Sequence, residues 1–93
     1  MKLYIAGPIT GKFDYRKKFK KAEEFLISQG HIVINPSTLP SGLSDYMPIC
    51  KAMIDQSEGI YFLDGWKDSI GSNEENEYGT EKGKEKFYEV AGC

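Results

Sequence analysis

The chain has 93 residues, of which 40% are hydrophobic and 28% are charged, and 12 Lys and Arg against 14 Asp and Glu leave a formal charge of −2. This composition predicts a single folded domain over 1–93. It argues against a disordered chain, a membrane helix and non-specific binding to nucleic acid or anionic membranes. The two cysteines and one histidine have no metal-ligand spacing, so we expect no metal site. The Gly7-Pro8 break comes too early for a signal peptide, so we expect a cytoplasmic protein.

Predicted strands and helices alternate along the chain. Short apolar runs bounded by turn residues predict strands at 2–6, 31–34, 59–63 and 86–90. Helical spacing predicts helices at 12–29, at about 45–57 with Pro48 in the first turn, and from Ser72 or Asn73 to about 82. Gly30 and Gly83 are expected to end the first and third helices. The helical side chains expected to face the core are Phe19, Ala22, Phe25, Leu26, Met47, Ile49, Ala52 and Met53.

This alternation predicts an α/β fold, a flavodoxin- or Rossmann-like three-layer sandwich around a parallel sheet of about four strands. Only three helices are available to cover the two faces of that sheet. One face or edge is therefore expected to be under-covered, which favours a homodimer or a higher homo-oligomer.

Three loops are expected at the carboxyl ends of the strands, where open parallel sheets bind ligands. The loop 7–11 has glycines at both ends but neither the spacing of a dinucleotide fingerprint nor that of a P-loop, so it also fits a plain tight turn. Asn35 ends the second strand and is a candidate to reach the pocket. Trp66, in the loop 64–71, is suited either to stack on a base or to plug the space beneath the loop.

The loop 64–71 and the helix after it carry the strongest candidates. A helix start next to Ser69 and Gly71 favours a phosphate or carboxylate ligand, because free amide groups and the helix dipole attract anions. Glu75, one turn further, is placed to point back to the same cleft, where a carboxylate is suited to attack the anomeric carbon of a sugar. The simpler interpretation is that an early acidic residue only favours the helix dipole.

Six segments spread over the chain match one known family. They are the run Leu3-Tyr4-Ile5-Ala6-Gly7-Pro8-Ile9-Thr10-Gly11, the pairs Ala22-Glu23, Gly30-His31, Asn35-Pro36 and Gly65-Trp66, and the spacing Ser69-x-Gly71-x-x-x-Glu75. With them the chain, from residue 1 to about 90, resembles the nucleoside 2-deoxyribosyltransferase-like superfamily. It is most similar to its short members from phages and bacteria and to the deoxynucleoside 5′-monophosphate N-glycosidases.

The resemblance implies cleavage of the N-glycosidic bond of 2′-deoxynucleosides or their 5′-monophosphates, by hydrolysis or by transfer to a second base. By position, Glu75 matches the nucleophile, and Ser69 matches the serine that contacts the 5′-phosphate, where the transferases carry aspartate. Gly71 and the helix start complete the phosphate site. Gly7, Pro8 and Ile9 match the loop that lines sugar and base, and Tyr4 lies on the strand before it. No cofactor is implied, and the expected partner is a small nucleotide or nucleoside.

One position departs from the family pattern. The active enzymes carry an aspartate eight residues before an acidic residue at the start of the third strand. If Glu58 is that acidic residue, Cys50 occupies the place of the aspartate. Two alternatives to an enzyme therefore stay open, a non-catalytic nucleotide-binding module of the same fold and an interaction protein with a vestigial pocket.

Overall fold

The computed structural model describes residues 1–8, 15–39 and 45–89. Strands and helices alternate as predicted, and the α/β class is confirmed. The strands are β1 (Lys2–Ala6), β2 (Ile32–Ile34), β3 (Gly59–Phe62) and β4 (Glu85–Tyr88). The helices are α1 (Tyr15–Ser28), α2 (Met47–Asp55) and α3 (Ile70–Glu81), with short 3-10 helices at Pro36–Thr38 and Trp66–Asp68.

The four strands form one parallel sheet in the order β2-β1-β3-β4. Tyr4 in the middle of β1 is aligned with Ile34 on one side and Ile60 on the other, and Gly59 of β3 is aligned with Glu85 of β4. From the central strand β1 the chain first adds β2 on one side. It then crosses back over β1 and adds β3 and β4 on the other side. The carboxyl ends of β1 and β3 therefore form the switch point at which such sheets bind ligands.

The sheet separates two apolar clusters, because successive side chains of a strand point to opposite faces. On the face of α1, the buried side chains are Leu3, Ile5, Phe19, Ala22, Leu26 and Leu63. On the face of α2 and α3, they are Tyr4, Ala6, Cys50, Ile54, Ile60 and Phe62. One face is thus covered by a single helix and the other by two helices.

Glycines end the first and third helices, as predicted. Gly30 and Gly83 have φ values of 89° and 69°, in the left-handed region that other residues adopt at a cost. The amide of Gly30 donates to the carbonyl of Ile27 at 2.9 Å, and this bond closes the last turn of α1. No helix in the described ranges is both long and apolar enough to cross a bilayer.

Three of the side chains predicted to face the core do not do so. Phe25 is 53% exposed, because it lies at the margin of the apolar stripe of α1 and no second helix covers that face. Ile49 is 38% exposed and Ala52 is also exposed, because α2 turns Cys50 and Ile54 inward instead. Pro48 lies in the first turn of α2, as expected, where its missing N–H has no intrahelical partner to lose.

Some observed helix and strand boundaries differ from the predicted ones by a few residues. The third helix was predicted to begin at Ser72 or Asn73, but α3 begins at Ile70, because the hydroxyl of Ser69 caps it by accepting from the amide of Ser72 at 3.3 Å. The fourth strand begins one residue earlier than predicted. The proposed start of the first helix at 12–14 and the strand residue Val90 lie outside the described residues.

Candidate functional site

A carboxyl group is buried between α3 and the sheet. Glu75 is only 5% exposed, and the hydroxyl of Tyr4 on β1 donates a hydrogen bond to its Oε2 atom. No lysine, arginine or histidine in the described ranges makes an ion pair with it. Its neighbour Glu74 points outward instead and pairs with Lys51 at 3.3 Å. A buried carboxyl without a cation is costly for a small fold, so its presence here favours a functional role.

None of the three buried residues of α3 has an apolar side chain. Ser72, Glu75 and Gly79 are its buried residues, at positions i, i+3 and i+7. Within the described part of the chain, Ser72 Oγ and Asn76 Oδ1 are buried without a hydrogen-bond partner. Gly79 lets the helix approach the sheet closely, since a Cβ atom there would lie 2.5 Å from Ile60 Cδ1. A helix whose core face is this polar is held in place by more than apolar packing.

Burial sets the protonation of this cluster. Desolvation raises the pKa of Glu75 from 4.5 to about 7, while hydrogen bonds from Tyr4 and Cys50 lower it and the charge of Glu74 raises it. Burial raises the pKa of Tyr4 well above its usual range, and the charge of Glu75 is the second cause. Tyr4 therefore keeps its proton as a donor, and Glu75 changes its charge near neutral pH.

Cys50 lies beside the same two residues. It is buried in the cluster that contains Tyr4, and its thiol interacts with both Tyr4 and Glu75. Burial raises the pKa of the Cys50 thiol to about 11, so the sulfur is protonated at neutral pH. The position that the resemblance assigns to an aspartate is thus next to the candidate nucleophile, and it holds a weak acid.

The amino-terminal end of α3 lies one and a half turns before Glu75. Ser69 caps this end, and Gly71 lies in the first turn. A Cβ atom at Gly71 would lie 3.7 Å from Met47 Cε and 4.0 Å from Ser69 Oγ, so the start of α2 is close by. Six residues at 1.5 Å each give an axial separation of about 9 Å between Ser69 and Glu75.

The loops after β1 and β3 meet at the switch point. The amide of Leu63 donates to the carbonyl of Ala6 at 2.8 Å, and a Cβ atom at Gly65 would lie 3.8 Å from Pro8 Cγ. Gly7 is buried against Leu63. Gly7 and Pro8 therefore lie at the edge where a ligand is expected, whereas Ile9 lies outside the described residues.

Two predicted site residues have structural partners elsewhere. The Asn35 side chain accepts from the Ser37 amide at 2.9 Å and donates to Glu23 at 3.1 Å, so it joins the end of β2 to α1. The ring of Trp66 packs on Phe62 at 4.6 Å and on Tyr88 at 6.0 Å, towards the β4 edge of the sheet. These contacts agree with the simpler interpretation of Trp66, a plug beneath its loop.

Sequence reasoning missed three features of the site. It assigned Tyr4 to substrate binding through the resemblance and missed that the Tyr4 hydroxyl donates to Glu75. It also missed Ser72, which lies one turn before Glu75 on the buried face of α3, and Asn76, which lies one turn after Ser72. Finally, it placed no residue of α2 near the start of α3, where Met47 lies.

Within the described ranges, no three His, Cys, Asp or Glu side chains form a group suited to a metal ion.

Comparison with known proteins identifies the family. No curated protein and no solved structure matches the chain. A family model described as "Domain of unknown function (DUF4406)" matches residues 1–88, which include both strands and all helices that build the site. The chain therefore belongs to the DUF4406 family.

Proposed function

We propose that the protein is an N-glycosidase of the nucleoside 2-deoxyribosyltransferase-like type, which cleaves 2′-deoxynucleoside 5′-monophosphates. The observation that carries the proposal is the buried Glu75 carboxyl, bonded to Tyr4 beneath the switch point of a parallel sheet. The resemblance of the Ser69-x-Gly71-x-x-x-Glu75 segment to that superfamily is consistent with it. Since 2′-deoxynucleotides are held inside the cell, we place the protein in the cytoplasm.

Glu75 is the nucleophile in the proposed reaction. One carboxylate oxygen attacks the anomeric carbon as the bond from that carbon to the base breaks, and the bonding electron pair leaves with the base. Water then attacks the same carbon as its bond to Glu75 breaks, and the proton that water loses goes to the departed base. Deoxyribose 5-phosphate and the free carboxylate are released. Transfer to a second base differs only in the acceptor. The Tyr4 hydroxyl holds one carboxylate oxygen so that the other faces the sugar.

The start of α3 is suited to the phosphate. Free amides and the positive end of the helix dipole attract a dianion there, and the hydroxyl of Ser69 lies at the same end. The axial separation of about 9 Å from Glu75 fits a nucleotide whose phosphate and anomeric carbon are contacted at the two ends. No cofactor takes part in this scheme, and the substrate is a small molecule.

The test incubates the protein with each 2′-deoxynucleoside 5′-monophosphate and measures the release of free base by chromatography. Glu75→Gln keeps an acceptor for the Tyr4 hydroxyl but removes the nucleophile, so we expect activity to fall on the order of 10³-fold or more. Glu74→Gln is the matched control, because it removes one carboxylate from the adjacent, exposed position. Mass spectrometry of the wild type under acid quench is expected to show a deoxyribosyl phosphate adduct on the Glu75 peptide. Absence of base release at high enzyme concentration, or equal activity of Glu75→Gln, contradicts the proposal.

A second candidate function is a nucleotide-binding module without turnover. Cys50 favours it, since a thiol with a pKa of about 11 is a poor acid for protonating a leaving base. A nucleotide that raises the melting temperature of both wild type and Glu75→Gln, with no base released by either, selects this candidate. Cys50→Asp extends this test. Base release by Cys50→Asp, but not by the wild type, would show that the binding module lacks only the group that protonates the leaving base.

A further inference from the structure

A groove lies on the face of the sheet opposite to Glu75. Helix α1 packs on β1 and β2, and beside it the surface over β3 and β4 is open, with a volume of about 990 Å³. Leu3 and Leu26 form its floor, and Tyr61 and Phe87 line the strand side. In a three-layer sandwich this space is where a second helix packs.

Large apolar side chains remain in contact with solvent along this groove. Phe25 on α1 is 53% exposed and Phe87 on β4 is 36% exposed, and both line it. Exposed aromatic side chains that continue a buried cluster are typical of protein–protein interfaces. The groove is therefore a docking surface, and its charges indicate what docks there.

The two sides of the groove carry opposite charges. Lys21 lines the helix side, with Lys17 and Lys18 nearby on α1. On the strand side, Glu89 lines the groove, and Glu85 points to the same face because it alternates with Phe87 along β4. The ammonium group of Lys86 does not offset them, since it donates to Thr80 on the other face of the sheet.

We propose that a second copy of this chain covers the groove in a twofold dimer. An axis parallel to the strands places α1 of each copy over β4 of the other. The basic side of one groove then meets the acidic side of the other twice, and the aromatic side chains pack between them. A foreign partner would have to supply the same pattern, whereas this chain already carries both halves.

The surface is large enough for such a dimer. The described residues span 33 × 29 × 22 Å, so a broad face of the molecule can provide the ~800 Å² per partner found in stable complexes. The dimer leaves Glu75 on the outer face of each sheet. The proposal therefore does not depend on the enzymatic function.

The test uses sedimentation velocity of the full chain over a concentration series, with reductant present so that thiols do not crosslink copies. Wild type is expected to show a concentration-dependent dimer. Lys21→Glu and Glu85→Lys each place like charges at both contacts of a homodimer, so each is expected to weaken it by ~10-fold or more. In a mixture of the two variants both contacts are again attractive, and a heterodimer is expected with an affinity close to that of wild type.

The matched controls make the same charge changes away from the groove. Lys82→Glu and Glu81→Lys both lie at the end of α3, on the opposite face of the sheet. Both are expected to dimerise like wild type. A monomeric wild type overturns the proposal and leaves the groove to a foreign partner. A dimer that neither reversal weakens, or a mixture that fails to re-associate, overturns it as well.

Discussion

The hydroxyl of Tyr4 in the central strand β1 donates a hydrogen bond to the carboxyl of Glu75 in α3, 71 positions later in the chain. This bond joins the two elements on either side of the proposed cleft. It also fixes one oxygen of the carboxyl and stabilises its ionised form, which opposes the effect of burial on the pKa of Glu75.

Tyr4→Phe is expected to raise the pKa of Glu75 above its present value of about 7, because the donor that stabilises the carboxylate is lost. If base release requires ionised Glu75, its rate rises with pH around that pKa, and the midpoint moves to higher pH in Tyr4→Phe. The pH dependence of kcat/KM measures this midpoint. Tyr78→Phe is the control, since the Tyr78 hydroxyl donates to Asp55 at 2.6 Å, away from Glu75. Equal midpoints for wild type and Tyr4→Phe would contradict the role of this bond.

The free energy of unfolding is expected to decrease as pH rises through the range in which Glu75 titrates. The pKa of its carboxyl is about 7 in the folded chain and 4.5 as the ordinary value. Between these values the folded state binds more protons than the unfolded state, so the free energy of unfolding falls with rising pH. The full shift corresponds to about 3 kcal/mol, lost between roughly pH 4.5 and pH 7.

The measurement is urea denaturation at several pH values. Glu75→Gln removes the titrating group and is expected to flatten this part of the profile, whereas Glu74→Gln leaves the slope as in wild type. A slope in Glu75→Gln equal to that of the wild type would contradict the raised pKa of this carboxyl.

Ser69 caps α3 and is proposed to bind the phosphate, and two substitutions separate these roles. Ser69→Ala removes the cap of α3 and is expected to cost about 1 kcal/mol of unfolding free energy. Ser69→Asp keeps a good cap, so stability is retained, but its charge repels a phosphate at the helix start. We expect KM for the monophosphate to increase ~10-fold or more in Ser69→Asp. The KM for the nucleoside is expected to stay unchanged, and an equal rise for both substrates would place the phosphate elsewhere.

Two glycines at the edge of the site are expected to respond in opposite ways to alanine. A Cβ atom at Gly7 would lie 2.9 Å from Leu63 Cδ1 and 3.0 Å from Leu63 Cβ, and Leu63 is buried. Gly7→Ala is therefore expected to destabilise the fold by about 1–3 kcal/mol. At Gly71 the nearest atom would be 3.7 Å away, so Gly71→Ala gains helix propensity, up to about 1 kcal/mol. Thermal denaturation compares the two variants, and a loss of stability in Gly71→Ala would indicate that the added methyl group crowds Met47.

The sheet and its helices were predictable because their signals are local. Apolar runs ended by a glycine or a proline indicated the first three strands, and the segment after Gly83 was predicted as the fourth. Gly30 and Gly83 marked two helix ends. The faces of α1 and α2 were harder, since both helices contain more apolar side chains than the sheet can cover. Phe25 and Ile49 have helical spacing that fits a core position, and only the arrangement of helices over the sheet leaves them exposed.

The site was predictable in its residue types and less so in its contacts. The spacing of Ser69, Gly71 and Glu75 follows from a helix that begins after β3. The partner of Glu75 depends on strand order, because only the adjacency of β1 and β3 brings Tyr4 within reach of α3. Asn35 ends its strand at the expected edge, but its amide group is used by Ser37 and Glu23, which no local pattern indicated. Membership of the deoxyribosyltransferase-like superfamily stays a prediction.

The close contact of Gly79 with Ile60 has a consequence for how this site can vary. The depth at which α3 rests on the sheet is set one turn beyond Glu75, at a residue that has no side chain. A bulkier residue there would collide with Ile60 unless that side chain or the helix moved, and a shift of the helix would separate Glu75 from Tyr4. Position 79 thus bears on the geometry of the proposed reaction centre without contacting it, so a substitution there is able to abolish activity while every reactive group remains present.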